Sequence, residues 1–183
     1  MADVSVRPAR PEDAAELGRI QVLTWRTAYA SILPAAVLDS LSEDDAATAW
    51  REAIVAPPTP RHRVLVALEQ EWLVGFAAVG PADDLEAGDP EPEATVTVAP
   101  ILVEPRWGRR GHGSRLLSAT VDLWREDGFT HAVAWAYEQD KATQKFLTSA
   151  GWSPDGAGRA LDVDDMLVPQ LRLHADVSAE LPS

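Results

Sequence analysis

The sequence contains no cysteine, which excludes thiol nucleophiles, thiolate-ligated zinc and switching by disulfide exchange. The four histidines, at positions 62, 112, 131 and 174, include no i, i+4 pair, so no metal site is expected. No run of 18 apolar residues occurs, and the N-terminus already carries Asp3 and has no apolar stretch. Neither a membrane span nor a signal peptide is expected, and the cytoplasm is the expected compartment. Bases are scarce: 16 against 29 acids leave a net charge of −13, which repels a phosphate backbone or an anionic bilayer and argues against nucleic-acid and membrane partners. Two lysines against fourteen arginines read as compositional bias and carry no functional conclusion.

What is present suffices for a core. The 183 residues are 46% apolar and include seven Trp, and a chain of this length buries roughly 70% of its unfolded surface. A single domain over residues 4–175 is expected, followed by a tail at 176–183.

Residues 4–8 read as a strand. Pro11, Glu12 and Asp13 make a favourable first helical turn, Pro at N1 and acids at the positive end of the dipole, for a helix to about Tyr29. Pro34 opens a short helix, and Ser42 with Asp45 starts a third whose apolar stripe is Ala46, Ala49, Trp50, Ala53 and Ile54. The Pro-rich 56–60 leads into a hairpin of 64–69 and 72–79 turning near Gln70. Six acids and no base between Asp83 and Glu93 read as a solvated loop. Thr95 to Val103 reads as a strand in which Pro100 requires an edge, a bulge or a missing ladder bond. Helix 113–127, strand 130–137, helix 141–150 and a last strand 166–174 complete an α/β single domain of the α+β type with a mixed sheet. A ligand is expected where strand 95–103 hands over to helix 113–127.

That junction, ILVEPRWGRRGHGSRLL, places four Arg (106, 109, 110, 115) within ten residues of an otherwise acidic chain. Amides at a helix start are unpaired and carry the positive end of the dipole, and Gly111 and Gly113 have no Cβ to hold an oxyanion away. The glycines alone could equally shape a turn; the local charge reversal and the strand-turn-helix context favour an anion such as pyrophosphate. No Lys-Ser/Thr follows for a P-loop, and Leu116 stands where a dinucleotide fingerprint needs its third Gly.

The stretch Ile101 to Leu117 resembles the acyl-CoA-binding motif of the GNAT superfamily of N-acyltransferases, a strand ending x-V-x-P, then Gln/Arg-x-x-Gly-x-Gly/Ala and a helix. Downstream, EQDKATQKFLTSAGW resembles the family's E-x-N-x-x-A-x-x-F-Y-x-x-x-G-F segment, with Asp140, Phe146, Gly151 and Trp152 at its marked positions, and the N-terminal helices are similar as well. The likeness extends from residue 4 to about 173. It implies a mixed, mostly antiparallel sheet of about seven strands flanked by helices, with strands four and five splayed around a pantetheine arm, and acetyl-CoA as cosubstrate without a metal. Ile101, Leu102 and Val103 would pair with the pantetheine amides, and Arg109, Arg110, Gly111, His112, Gly113 and Ser114 would surround the pyrophosphate; Asp140 and Phe146 complete the implied cofactor set. The implied activity is N-acetylation of a primary amine of a small molecule or peptide by direct attack in a ternary complex. A homodimer is left open.

Three positions depart from the pattern. Gly108 replaces the usual Gln/Arg, Leu147 stands where many members carry a Tyr that protonates the leaving thiolate, and Thr97 stands where a Glu base is often found. Neither Leu147 nor Thr97 titrates usefully, which opens a second reading, a non-catalytic acyl-CoA-binding or sensing domain. Tyr137 could replace the missing donor as the catalytic residue or be structural. Glu93 and Glu104 read as surface carboxylates, with a water-mediated base as the alternative. Trp25, Arg26 and Tyr29 either bind the acceptor or form an ordinary helix face, and His112 reads as a solvent-side filler. The acidic loop either only solubilises or also attracts cationic amines.

Overall fold

A computed structural model describes residues 3–178; the distal part of the expected tail, 179–183, lies outside the described residues. The strands are β1 (Val4–Pro8), β2 (Arg63–Glu69), β3 (Trp72–Pro81), β4 (Thr95–Val103), β5 (His131–Tyr137), β6 (Ser153–Val163) and β7 (Met166–Asp176), with buried apolar runs in β2 to β5. They form one sheet in the order β1-β2-β3-β4-β5-β7-β6. Every pairing is antiparallel except β4 with β5, which is parallel and involves only Thr95–Thr97 against His131–Val133. Mixed, mostly antiparallel, seven-stranded and splayed between the fourth and fifth strands, the sheet has the architecture the family resemblance implied.

Five helices flank it: α1 (Ala14–Ala28), α2 (Ala35–Asp39), α3 (Glu43–Val55), α4 (His112–Glu126) and α5 (Lys141–Ser149). Two of their starts are capped by a side chain. Ser42 Oγ accepts the amide of Asp45 to open α3, and the Asp140 carboxylate accepts the amide of Thr143 to open α5. The largest core cluster joins Val96 and Val98 of β4 to Leu117 and Trp124 of α4, Ala132, Ala134 and Ala136 of β5, and Leu147 of α5. A second packs Leu17 and Ile20 of α1 on Val66, Phe76 and Leu102. The sheet is thus covered on both faces, and the inward residues of β4 serve both layers. Among the described residues no helix is long and apolar enough to cross a membrane.

Four expectations change. β6 is a strand although Pro154, Asp155, Gly156 and Gly158 read as turn residues: it is a largely exposed edge strand with an irregular register between Pro154 and Gly158, so it needs no alternating apolar pattern. The acidic loop 83–91 is not simply solvated, because arginines of β6 and β7 hold Asp84 and Asp89. Glu104 is not a surface carboxylate but is buried between Arg19 and Arg106. His112 is buried, not a solvent-side filler. Pro100 costs one stretch of ladder: the β3 register jumps from Ala77↔Ile101 to Val79↔Val98, leaving Ala99 and Pro100 out. Beyond Asp176, Val177 is still buried, and its amide donates to the Thr130 carbonyl.

The α1–α3 contact gives a test of packing. A Cβ on Gly18 would stand 2.7 Å from both the Ala47 amide nitrogen and the Glu43 carbonyl oxygen, backbone atoms that move only if α3 moves. Gly18→Ala is expected to lower stability by about 1–3 kcal/mol despite the better helix propensity of alanine, read as a reduced urea midpoint with unchanged slope.

Candidate active site

Past Thr97 and Val133 the two central strands part. β4 remains paired with β3 through Ile101–Val103 but has no strand on its other side, so alternate backbone groups of that edge face a gap. The gap widens into a cleft of about 740 Å³ whose wall includes Ile101, Leu102 and Val103 from the open edge, Arg109, Gly111, His112, Gly113 and Ser114 from the turn, and Asp140 and Phe146 from the start and body of α5. The cofactor residues expected from sequence are therefore brought together, apart from Arg110, which does not line the cleft.

The turn before α4 owes its shape to two left-handed residues, Arg109 (φ 62°) and Gly111 (φ 83°), the second of them the N-cap. The amides of His112, Gly113 and Ser114 form the first turn of a 15-residue helix and have no carbonyl four residues back within it. The Phe146 ring lies across this turn: a Cβ on Gly113 would sit 3.3 Å from its edge. Arg115 Nη1 donates to the Arg110 carbonyl (3.0 Å). Arg110 itself points away, donating to Glu69 Oε1 at 2.9 Å and lying over the Trp107 ring. His112 Nε2 donates to the other oxygen of the same carboxylate at 2.8 Å.

The opposite end of the cleft is lined by Thr24, Tyr29, Asp83, Asp84, Trp135, Tyr137, Arg159 and Gln170, among others. Tyr29 and Tyr137 meet edge to face, with ring centroids 5.1 Å apart. Burial pushes both phenols above their ordinary value, and the charge of Asp140 adds to the effect at Tyr29; both hydroxyls are protonated at neutral pH. Arg159 stacks on Trp135 at 4.1 Å, donates to Gln170 Oε1 and pairs with Asp84, whose Oδ2 also accepts the Trp135 indole N–H. Arg172 is gripped between Asp89 and Asp155, at 2.7 Å each. The β3–β4 loop is thereby fastened across the outer strands and becomes one wall of the cleft.

Of the three residues expected at an acceptor site, only Tyr29 lines the cleft. Trp25 packs against the cluster of Leu17, Ile20 and Phe76, and Arg26 donates to the Leu38 and Leu41 carbonyls, tying α1 to α2. Helix phase brings Thr24 and Ala28 to the cleft instead; the hydroxyl of Thr24 is buried there without a hydrogen-bond partner. Thr97 and Leu147 line the cleft, Leu147 as a buried wall residue, so neither departure from the motif is an artefact of misplacement. Glu93 is exposed. Trp135, Arg159, Gln170 and Asp84 carry no local sequence signal, since they converge only through the β5–β7–β6 register. Among the described residues no group of three or more metal-ligating side chains is found.

The model of the acetyltransferase (GNAT) family matches residues 22–152. The uncharacterized N-acetyltransferase YuaI of Bacillus subtilis is 31% identical over 139 residues, 75% of this chain and 73% of YuaI. Among solved structures, the fold is similar to that of PaiA N-acetyltransferase from Thermoplasma acidophilum in complex with coenzyme A, with a TM-score of 0.75 at 14% identity, covering 95% of this chain and 99% of PaiA. YncA from Salmonella typhimurium, solved with its cofactor acetyl-CoA, gives 0.70 at 21% identity over 99% of this chain and 98% of its own.

The loop clamp has a pH signature. The Arg172 hydrogen bonds, followed by the Glu86 amide, hold the Asp89 carboxyl at about 2, below its ordinary value. A depressed carboxyl contributes stability that is complete above its unfolded pKa, about 4, and is lost as pH falls through the folded value. Arg172→Met strands two half-buried carboxylates and is expected to cost about 3 kcal/mol at pH 7. The difference from the unaltered protein should stay constant from pH 5 to 8 and shrink between pH 4 and 2, as followed by denaturant titration.

Proposed function

The chain belongs to the acetyltransferase (GNAT) family, and from that premise we propose that it transfers an acetyl group from acetyl-CoA to the primary amine of a small molecule or peptide, by direct attack with donor and acceptor bound together. The observation that carries this reading is the continuous cleft from the amides at the start of α4, along the open edge of β4, to the paired tyrosines. It offers an anion site, a strand edge and a polar chamber in one line.

The residues fit the cosubstrate. The first amides of α4, at the positive end of the helix dipole, suit a diphosphate, with Arg109 beside them. The unpaired edge of Ile101–Val103 suits a chain carrying amides. When bound, acetyl-CoA supplies an activated thioester carbonyl within the splay. The protein's part is then positioning and electrostatics. The Tyr137 hydroxyl, kept protonated by burial, is suited to hold a proton ready for a leaving thiolate. Thr97 offers no base at the position where the family often carries one, so the amine is expected to arrive neutral or to lose its proton to water. Asp83, exposed at the mouth, suits attraction of the ammonium form.

A second reading, an acyl-CoA sensor, is favoured by Thr97 and Leu147. A panel of amines with acetyl-CoA, following thiol release, separates the two: amine-dependent release supports the enzyme, and tight binding with background hydrolysis alone supports the sensor. Acetyl-CoA at 100 times its Kd is expected to raise stability by about 2.7 kcal/mol, measured as a thermal shift; no shift at millimolar acetyl-CoA, or a larger one with ATP, would count against the cofactor.

Turnover is expected to rise with pH toward the amine's own pKa, because only the neutral amine attacks and neither Thr97 nor Leu147 titrates. Tyr137→Phe should lower kcat on the order of 10²-fold with little change in acetyl-CoA affinity. An unchanged kcat would return Tyr137 to a packing role beside Tyr29.

A further inference from the structure

Two of the residues that sequence reasoning assigned to the diphosphate, Arg110 and His112, are held by a third that no motif marks. Glu69 ends β2 at the β2–β3 hairpin. One oxygen accepts Arg110 Nη1 at 2.9 Å and the other accepts His112 Nε2 at 2.8 Å. The His112 side chain is 1% exposed and that of Glu69 13%, so neither loses much of this contact to water. These two partners bracket Gly111, the left-handed N-cap from which the unpaired amides of α4 begin. One carboxylate thus fixes the turn immediately before and immediately after the residue on which the anion cradle depends.

We propose that Glu69 is a positioning residue for the anion-binding turn: it gathers the hairpin, Arg110 and the first turn of α4 so that the amides of His112 to Ser114 converge on a diphosphate. The proposal rests on the acyl-CoA reading above. It carries an unusual sign. By charge alone, a carboxylate beside an anion site repels the ligand, so removing it would tighten binding. By geometry, removing it leaves a buried His112 N–H without an acceptor, and frees Arg110 from its place over Trp107, which loosens the cradle. Glutamine separates the two effects. Its carbonyl can accept from Arg110 while its amide donates to the other tautomer of His112, so the bridge survives and the charge goes.

Calorimetric titration of coenzyme A into the unaltered protein, Glu69→Ala and Glu69→Gln tests this, beside kcat/KM for acetyl-CoA and for S-acetylpantetheine, which lacks the diphosphate. Glu69→Ala is expected to weaken coenzyme A binding about tenfold or more, with acetyl-CoA KM raised, kcat nearly kept and S-acetylpantetheine turnover unchanged. Glu69→Gln should bind coenzyme A as well as the unaltered protein or better. Should Glu69→Ala fail to fold, Glu69→Met, which keeps the side-chain bulk and removes both acceptor oxygens, is expected to give the same selective loss. Equal or tighter binding by a folded Glu69→Ala, or equal losses with both thioesters, overturns the positioning role while the cofactor reading stands. Absence of coenzyme A binding by the unaltered protein overturns both.

Discussion

Everything functional in this fold depends on one unsatisfied edge. β4 is paired with β3 on either side of the break at Ala99 and Pro100 but meets β5 over only three residues, and then the strands separate. An unpaired run of backbone is costly unless water or another partner satisfies it, and in the proposed function that partner is a ligand with amides of its own. The pieces around it keep it open. Pro100 removes an amide from β4 where the separation is under way, α5 is capped across the far side by Asp140, and Gln144 Nε2 donates to the Tyr137 and Glu138 carbonyls, pinning α5 to the end of β5. Trp124 and Leu147 pack the base of the wedge, so it cannot close without opening the core.

The charges of the chain are largely paired with one another. Arginines are mostly committed to particular acids: Arg7 to Asp13, Arg19 to Glu104, Arg63 to Asp127, Arg110 to Glu69, Arg159 to Asp84 and Arg172 to Asp89. Exposed pairs of this kind contribute little. The ones that matter bury a carboxylate, as at Glu104, Glu69 and Asp89, because a buried carboxylate left alone would cost several kcal/mol. They also join elements distant in sequence: α1 to the end of β4, the β2–β3 hairpin to α4, the β3–β4 loop to β6 and β7. The basic cluster that looks on paper like a set of phosphate ligands is therefore partly a set of fasteners. In the proposed function the backbone amides of α4, with Arg109, are the groups left to receive the anion.

The two ends of the cleft differ in how they are made. The end at α4 is built from contiguous chain, residues 101–114, and a short motif can encode it. The other end is assembled from α1, the β3–β4 loop, β5, β6 and β7, with Arg159 stacked on Trp135 and held by Gln170 and Asp84. Thr24, with its buried and unpartnered hydroxyl, belongs to this second end. Chemistry that differs among members of a shared fold is carried by such composite walls, where single substitutions alter a pocket without disturbing the scaffold.

The sequence by itself determined the helices through their apolar stripes and starting residues, the hairpin through its two apolar runs about the turn at Gln70, and the Gly-rich turn before α4 through Gly111 and Gly113, because each is a property of neighbouring residues. It also showed Leu147 and Thr97 at the motif positions where an acid and a base are often found, and both residues line the cleft. Only the tertiary structure decided the rest. β6 carries turn-like residues and becomes a strand because β7 offers it an edge; the acidic loop is held down because Arg159 and Arg172 arrive from beyond it; helix phase turns Trp25 and Arg26 away from the cleft and Thr24 toward it. His112 and Glu104 are buried because a carboxylate or a guanidinium from a remote segment satisfies them. Burial of a polar group is settled by its partner, and partners separated by 43 residues, as Glu69 and His112 are, leave no trace in local pattern.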